Sequence, residues 1–288
     1  MAESNTELVS VVIPTFQRAA MLRRALESVR WQTRSADEVI VVDDGSTDGT
    51  GEMLRSEFPE VRYLGRQNGG VSWARNQGIE AASGDWIALL DSDDTWRPEK
   101  LERQLAALAA ERGHHVCHTD EIWIRNGRRV NPGLRHAKRG GRIFRHCLPL
   151  CAISPSSAVI HRSVFADVGL FDEQLPACED YDLWLRITCH QPVLLVDEPL
   201  VEKHGGHSDQ LSRTVSGLDR YRIRALVKIL GSGCLEAEDR AATVSTLEQK
   251  CRIWADGAET RGRLEEAARY RDLARRWRQG TPTSAANS

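Results

Sequence analysis

The chain has 288 residues, which is enough for one large domain or for one domain with a helical appendage. Its 39 Lys and Arg nearly balance its 41 Asp and Glu, so the formal net charge of -2 gives no overall basic field, and we expect no nucleic-acid partner. The 7 cysteines are dispersed and form no Cys-x-x-Cys pair, which is typical of reduced thiols inside a cell. No apolar run approaches the roughly 18 residues of a membrane span. We expect a cytoplasmic protein, with peripheral attachment to the inner face of the membrane as an alternative.

Short apolar runs alternate with amphipathic segments in the N-terminal third of the chain. Strands are predicted at residues 9–14, 38–44 and 61–64 and from Trp86 onward, and helices at residues 20–31, around Met53 and Leu54, and at 71–82. This β-α-β-α-β-α-β order predicts a doubly wound, Rossmann-like α/β sheet that is mostly parallel and flanked by helices. Residues 45–48 are expected to supply a turn and an N-cap for the second helix.

Weaker patterns describe the rest of the chain. A helix after Pro98 continues the alternation, residues 116–124 form a strand that is polar for a central one, and the basic, Gly-rich residues 125–145 are expected to be a long loop. A helix at 179–188, a short strand at 193–196 and helices after residue 216 follow. We therefore divide the chain into a domain at 1–215 with halves at about 8–112 and 113–215, a helical extension at 216–279, and a disordered tail at 280–288.

Three carboxylates follow the apolar run that begins at Trp86. Ligands of open α/β sheets bind beyond the carboxyl ends of the strands, so Asp91 and Asp93 are expected to face a crevice, where an Asp-x-Asp pair suits a hard divalent cation. The alternative is a helix N-terminus, with Asp93 or Asp94 as the cap and Pro98 in the first turn.

Six short motifs occur in an order that resembles family 2 glycosyltransferases with the GT-A fold. They are residues 11–18 (VVIPTFQR), 41–48 (VVDDGSTD), 68–76 (NGGVSWARN), 90–94 (LDSDD), 169–173 (GLFDE) and 179–186 (EDYDLWLR). The resemblance covers roughly residues 8–210. It implies an inverting enzyme that moves a sugar from a nucleoside-diphosphate sugar, a UDP-sugar in our interpretation, to an acceptor hydroxyl during synthesis of a cell-surface polysaccharide or glycoconjugate.

The resemblance assigns the nucleotide base to the loop of Pro14, Thr15 and Phe16 and to Asp43. A carboxylate there accepts a hydrogen bond from the imide N–H of uracil or thymine. The alternative for Asp43 and for its neighbour is a turn or a helix cap. The commoner family pattern has Tyr-Asn where this chain has Phe16-Gln17, so a phenolic hydroxyl is missing from the base site.

The donor phosphates and ribose are assigned to a second group of residues. Arg18 and Arg75 would donate hydrogen bonds to the nucleotide, although either residue fits an ordinary surface ion pair equally well. Asp91, Ser92 and Asp93 match the family's Asp-x-Asp motif, in which the first carboxylate lies near the ribose and the second binds Mg²⁺ or Mn²⁺.

The acceptor side is represented by a carboxylate and a late histidine. Asp180 matches the family's general base, which takes the proton of the acceptor hydroxyl; the alternative for Glu179-Asp180 is a helix N-terminus favoured by negative charge. His204 or His207 is a candidate ligand of the metal, and a plain Gly-rich turn is the alternative. The expected acceptor is a saccharide or a lipid-linked saccharide.

Two other functions fit parts of the sequence. A sugar nucleotidyltransferase shares a similar sheet, but it is expected to carry a Gly-rich phosphate loop after the first strand, and residues 14–18 contain no glycine. A catalytically idle partner that binds nucleotide sugars is opposed by the presence of Asp91, Asp93 and Asp180 together.

Overall fold

A computed structural model describes residues 7–66, 68–206, 215 and 217–280, and no described helix is long and apolar enough to cross a membrane. Within these residues the strands are β1 (Val9–Thr15), β2 (Glu38–Asp43), β3 (Arg62–Gly65), β4 (Trp86–Leu89), β5 (Thr95–Trp96), β6 (Val116–Arg125), β7 (Arg128–Val130), β8 (Val159–His161) and β9 (Leu194–Gly205). All of them belong to one sheet with the order β3-β2-β1-β4-β8-β6-β9-β5, and β7 pairs with β6.

Ten α-helices are described. They are α1 (Ala19–Arg30), α2 (Thr50–Glu57), α3 (Val71–Ala81), α4 (Lys100–Ala110), α5 (Phe144–Cys147), α6 (Arg162–Val168), α7 (Glu179–His190), α8 (Leu218–Gly231), α9 (Ala237–Thr260) and α10 (Leu264–Arg278). Short 3-10 helices lie at Leu134–His136 and Pro155–Ser157.

The first four strands form the parallel part of the sheet. β1 pairs in parallel with β2 and β4, and β2 pairs in parallel with β3. Helices connect these strands, so the predicted doubly wound order is confirmed. The second part is mixed, because β8 runs antiparallel to both β4 and β6, whereas β9 is parallel to β6.

Strand β1 shows why this sheet is covered on both faces. All seven of its residues are buried. Val12 packs with α3 on one face, whereas Val11 and Ile13 pack on the other face with α1. A Cβ at Gly78 of α3 would lie 2.3 Å from Val12 Cγ1, so only glycine allows this helix to approach the strand so closely.

Several sequence-based predictions need correction. The segment 125–145 is not one long loop, because it contains β7 and a 3-10 helix. The short strand expected at 193–196 extends as β9 to Gly205, across a register shift opposite Thr119–Glu121 of β6. Strand β6, polar as it is, lies between β8 and β9. Helix α2 begins at Thr50 after Gly49, and Asp48 stabilises that end by accepting a hydrogen bond from the Thr50 hydroxyl at 2.6 Å.

The arginines of α10 are largely paired with acidic side chains. Arg271 contacts Asp256 and Glu259 of α9, and Arg278 contacts Glu248. Trp277 is buried against the core that α7 and α8 share. The expected tail beyond Gly280 lies outside the described residues.

Candidate active site

A cavity of about 750 Å³ opens at the carboxyl ends of β1, β2 and β4. It is lined by the loop after β1, the loop after β4, the start of α3, the start of α7, the end of β9 and the start of α8. The predicted residues among its lining are Pro14, Thr15, Phe16, Arg18, Arg75, Asp91, Ser92, Asp93, Asp180 and His204. Segments more than a hundred positions apart in the chain therefore meet in one site.

The loop after β4 presents two carboxylates and buries a third. Asp91 and Asp93 line the cavity, whereas Asp94 is only 2% exposed. Asp94 accepts hydrogen bonds from the Ser156 hydroxyl at 2.6 Å and from the His204 backbone N–H at 2.9 Å. Burial and the neighbouring Asp93 raise the pKa of Asp94, and Lys203 opposes them. The capping alternative is wrong, because α4 begins at Lys100 after β5 and has no side-chain cap.

Arg75 joins the two halves of the site. Its Nη2 lies 2.7 Å from Asp91 Oδ1, and its Nη1 lies 2.7 Å from Glu179 Oε1. Burial alone would lower the pKa of the guanidinium, but the two carboxylates raise it above its ordinary value. Arg75 is therefore a buried bridge between β4 and α7, and the surface ion pair considered from the sequence is wrong.

The start of α7 carries Asp180 into the cavity. Asp180 is half-buried, its Oδ1 accepts the backbone N–H of Tyr181 at 2.7 Å, and its Oδ2 lies 3.1 Å from Cys151 Sγ, which donates to it. Glu179 also borders the cavity, but it is only 5% exposed and is paired with Arg75; burial and the charge of Asp180 raise its pKa, and Arg75 lowers it. Of the two adjacent carboxylates, Asp180 is the one that lies open to a substrate.

The loop after β1 is held by the loop after β2. The Gln17 backbone N–H donates to Ser46 Oγ at 2.8 Å, and its side chain donates to Thr47 Oγ1 at 3.0 Å. Gln17 and Cys178, which precedes α7, have φ values of +53° and +61° and both line the cavity. Left-handed backbone at non-glycine residues is costly and clusters at functional sites.

Asp43 and Asp44 have different positions. Asp43 is 1% exposed, is not among the residues that line the cavity, and accepts hydrogen bonds from the Ser46 N–H at 2.9 Å and the Tyr63 hydroxyl at 3.0 Å. It thus has the turn role considered above, and its contact with a base stays a prediction. Asp44 lines the cavity and accepts the backbone N–H groups of Gly69 and Gly70 at 2.6 and 2.8 Å. The expected base site has Asp44 at its edge.

His204 lies at the end of β9, within a strand and not in a Gly-rich turn. Its Nε2 is 3.0 Å from Arg24 Nη2 and 3.4 Å from Thr95 Oγ1. His207 lies outside the described residues. The described chain brings no group of Asp91, Asp93 and His204 donor atoms within 4.8 Å of one another.

The chemistry of the Asp93 carboxylate nevertheless suits Mg²⁺ or Mn²⁺. Magnesium is usually held by one or two protein carboxylates together with substrate phosphates and waters. Asp93 lines the cavity, with Arg18 Nη1 at 3.2 Å from its Oδ2. A single protein carboxylate beside a diphosphate is a sufficient donor set, and His204 as a ligand stays a prediction.

Lys203, Arg222 and Cys151 line the cavity but were missed from the sequence. Lys203 Nζ donates to Ser154 Oγ at 2.6 Å. Burial would lower the pKa of Lys203, but Glu121, Asp94 and Asp91 raise it, so this cation sits among carboxylates. Lys203 adjoins the candidate His204, but none of these three residues belongs to a recognised motif, and each reaches the site from a different part of the chain.

Comparison with known proteins adds an independent finding. The model of the family described as Glycosyl transferase family 2 matches residues 10–169. An uncharacterized glycosyltransferase of Rickettsia felis is 32% identical over 222 residues, which are 73% of this chain and 36% of that protein. One of Rickettsia typhi is 30% identical over 219 residues, 74% of this chain and 69% of that protein. The putative teichuronic acid biosynthesis glycosyltransferase TuaG of Bacillus subtilis is 42% identical over 103 residues, 34% of this chain and 40% of that protein.

Solved structures share the fold. The crystal structure of S. aureus TarS 1–349 in complex with UDP matches with a TM-score of 0.67 and 18% identity, over 95% of this chain and 92% of that chain. Its complex with UDP-GlcNAc matches over the same shares with a TM-score of 0.65. This likeness confirms the predicted GT-A type α/β fold with C-terminal helices. Together with the family match, it confirms the resemblance: the chain belongs to glycosyl transferase family 2.

Proposed function

We propose that this protein is an inverting glycosyltransferase that moves a sugar from a UDP-sugar to an acceptor hydroxyl. The observation that carries the proposal is the single cavity in which Asp91 and Asp93, at the end of β4, face the same space as Asp180, at the start of α7. The TarS structures of the same fold, solved with UDP and UDP-GlcNAc, support a uridine nucleotide as the donor.

The donor would lie along the parallel strands. The base and ribose would lie beside Pro14, Thr15 and Phe16, and the diphosphate would lie next to the Arg18–Asp93 pair. Mg²⁺ or Mn²⁺ at Asp93 would neutralise charge on the departing nucleoside diphosphate. Arg18, which now contacts Asp93, is positioned to donate to phosphate oxygens as well.

Asp180 is the proposed general base. It would take the proton of the acceptor hydroxyl while that oxygen attacks the anomeric carbon from the face opposite the leaving group, so configuration inverts. The Cys151 thiol donates to Asp180 but has a second acceptor, the Ile153 carbonyl at 3.2 Å from Sγ. The thiol can therefore turn away from the carboxylate without losing its hydrogen bond.

The acceptor is proposed to be a saccharide or a lipid-linked saccharide of a cell-surface polymer, a role that the likeness to TuaG supports. For such a role we propose a cytoplasmic location, with peripheral attachment at the inner face of the membrane as the alternative. The arginines of α10 are largely paired with acidic side chains, so the helix packs on the protein in our proposal and does not supply that attachment.

The test is a thermal-shift and sugar-transfer experiment with UDP and UDP-sugars, with and without Mn²⁺. We expect UDP to raise the melting temperature and chelator to remove most of the rise, because a ligand that binds only the folded state stabilises it. Asp93→Asn should lose the metal-dependent part, whereas Asp197→Asn, an exposed carboxylate away from the cavity, should keep it.

Other outcomes would replace the proposal. Binding of UDP-sugar without transfer to any acceptor saccharide would favour a non-catalytic partner. Formation of UDP-sugar from UTP and a sugar phosphate would favour a nucleotidyltransferase. Equal stabilisation with and without metal would remove the cation from the mechanism.

A further inference from the structure

Two helix C-termini meet on the side of the molecule away from the cavity lining. Helix α7 ends at His190 and α8 ends at Gly231. The chain after α8 turns at Gly233, whose φ is +76°, and brings Cys234 against Cys189 with 3.0 Å between the two sulfurs. Both thiols are half-buried against the core that α7 and α8 share.

Three soft donors converge there. One ligand atom each from Cys189, His190 and Cys234 lie within 4.8 Å of one another, and this is the one such group found in the described part of the chain. His190 is exposed, which leaves an approach from solvent. Helix C-termini carry partial negative charge from unpaired carbonyls, so the convergence of two of them favours a cation over an anion.

A hydroxyl group also lies beside the two thiols. The Ser232 hydroxyl oxygen lies 2.8 Å from the Ile229 carbonyl oxygen and 3.1 Å from Cys234 Sγ, so the hydroxyl can turn to donate to a sulfur ligand, and outer hydrogen bonds of this kind orient metal ligands. A bound cation would supply the positive charge that these thiols need in order to lose their protons.

We propose that Cys189, His190 and Cys234 form a binding site for a thiophilic cation of the Zn²⁺ type. Binding converts two thiols and M²⁺ into a dithiolate complex and releases two protons, with the His190 imidazole as the third ligand and water as the fourth. Such an ion differs from the hard cation proposed at Asp93, because thiolate and imidazole select zinc-like metals over magnesium.

The geometry requires only a small adjustment. Tetrahedral zinc with Zn–S bonds of about 2.3 Å holds two sulfurs roughly 3.8 Å apart, so the pair would open by less than one ångström. A disulfide would instead require the sulfurs to close to about 2.05 Å. His190 distinguishes a metal site from a disulfide, because a metal ion takes a third ligand and a disulfide does not.

The site would connect two parts of the protein. Helix α7 carries Asp180 at one end and Cys189 at the other, whereas Cys234 lies in the connection between α8 and α9. An ion bound by both cysteines would fasten the helix of the proposed base to the C-terminal helices. This role concerns stability, so it stands or falls independently of sugar transfer.

The experiment is a titration of the full chain with Co²⁺ under a non-thiol reductant. We expect an absorption band of thiolate-to-cobalt charge transfer that saturates at one ion per chain and disappears when Zn²⁺ is added. Oxygen ligands such as Asp93 give no such band. Zn²⁺ should also raise the melting temperature of the chain, because it binds the folded state.

Matched variants decide the result. Cys189→Ser and Cys234→Ser should abolish the band. His190→Ala should lower the affinity for Co²⁺ by more than the roughly 10–100-fold that is lost when an outer-shell partner of a metal ligand is removed. Cys251→Ser, a buried thiol elsewhere, should leave the band unchanged. Circular dichroism checks that each variant folds.

Two results would overturn the site. One is a folded, reduced parent chain that shows no thiolate band and no stabilisation by Zn²⁺. The other is that His190→Ala shows the band with unchanged affinity for Co²⁺, which would mean that the two thiols bind the ion adventitiously and that His190 is not a ligand. If oxidation by a small disulfide links Cys189 to Cys234 while Zn²⁺ neither binds nor protects them, the pair is a redox site and the metal proposal is wrong.

Discussion

The half of the fold built from β1 to β4 and the half built from β5 to β9 differ in where they bury polar side chains. In the first half, β1 and β4 are entirely buried and largely apolar, and most buried polar groups lie at strand ends or in the flanking helices and loops, namely Ser10, Thr15, Gln32, Asp43, Asp44, Thr50, Ser72, Arg75, Asn76, Ser92 and Asp94. The second half buries many polar groups near its strands, namely Lys100, Gln104, His118, Thr119, Glu121, Ser154, Ser156 and Ser157. Buried polar groups are tolerated when they are hydrogen-bonded, so the second half depends on specific partners.

This difference explains how each half supplies the cavity. In the first half, Asp91 and Asp93 reach the site because they follow a parallel strand. In the second half, each position depends on a contact between distant segments: Ser156 with Asp94, Lys203 with Ser154, and Cys151 with Asp180. The local strand pattern is therefore enough to place Asp91 and Asp93, whereas the positions of Lys203 and Cys151 depend on hydrogen bonds between distant segments.

Asp180→Asn is expected to have the largest effect. It keeps the shape of the side chain but removes the proton acceptor, so turnover should fall by about 10²–10⁴, the contribution of a positioned general base. Affinity for the donor should be nearly unchanged, because the donor is proposed to lie in the first half. Calorimetric titration of UDP-sugar alongside the transfer rate measures both quantities.

Asp167→Asn serves as its control, since Asp167 is exposed and does not line the cavity. If Asp180→Asn transferred sugar at the parental rate, the second half would contribute no base. If it lost donor binding as well, the division between the halves would break down.

Arg75→Met tests the bridge between the halves. The guanidinium is 5% exposed and contacts Asp91 and Glu179, so its loss leaves a buried carboxylate unpaired, and we expect about 3–5 kcal/mol of destabilisation. Urea unfolding measures this change. Adding Glu179→Gln to Arg75→Met should cost less than the sum of the two single changes, because both remove the same contact. Strict additivity would show that the halves are joined elsewhere.

Lys100→Met tests how the buried ammonium group of Lys100 makes the free energy of unfolding depend on pH. Burial lowers the pKa of Lys100 from 10.5 to about 7. Below pH 7 the folded and the unfolded chain both hold the proton, and the folded chain bears the full cost of a buried ammonium. Between pH 7 and pH 10.5 the unfolded chain binds more protons than the folded chain, so the free energy of unfolding rises with pH.

The variant should therefore gain more stability at pH 6 than at pH 10. The difference is on the order of a few kcal/mol, since one pKa unit corresponds to about 1.4 kcal/mol. Denaturant unfolding at both pH values measures it, with the exposed Arg112→Met as the reference. A gain independent of pH would mean that Lys100 does not titrate in this range.

Ser156→Ala is expected to have the smallest of the four effects. The Ser156 hydroxyl accepts from the Asp91 N–H at 3.0 Å and donates to Asp94 at 2.6 Å. Removing it should cost about 1–3 kcal/mol, because a buried acceptor and a buried donor lose their partner. Ser72 of α3 is the matched control, since its buried hydroxyl has no hydrogen-bond partner in the described chain. We expect Ser72→Ala to be neutral or stabilising; equal costs would erase the distinction between the halves.

Sequence patterns predicted the parallel half closely and the mixed half only in part. The apolar runs before Asp43 and Asp91 correctly located β2 and β4, because a buried parallel strand has a continuous apolar signature. Strand β9 was predicted too short, because the exposed residues Asp197, Glu198 and Pro199 interrupt its apolar pattern at a register shift before the buried Leu200 and Val201 continue it. Lys203 and Cys151 could not be assigned to the site, because their partners are distant in the chain.

Helix α8 lines the cavity and lies beyond the residues that the family model matches. The family model ends at residue 169, yet Asp180, Lys203, Leu218 and Arg222, which line one side of the cavity, all lie beyond it. In the proposed function, the matched N-terminal segment would hold the donor, and the wall beyond residue 169 would face the acceptor. Exchanging α8 between two relatives would be expected to transfer acceptor preference without altering the nucleotide that each enzyme uses.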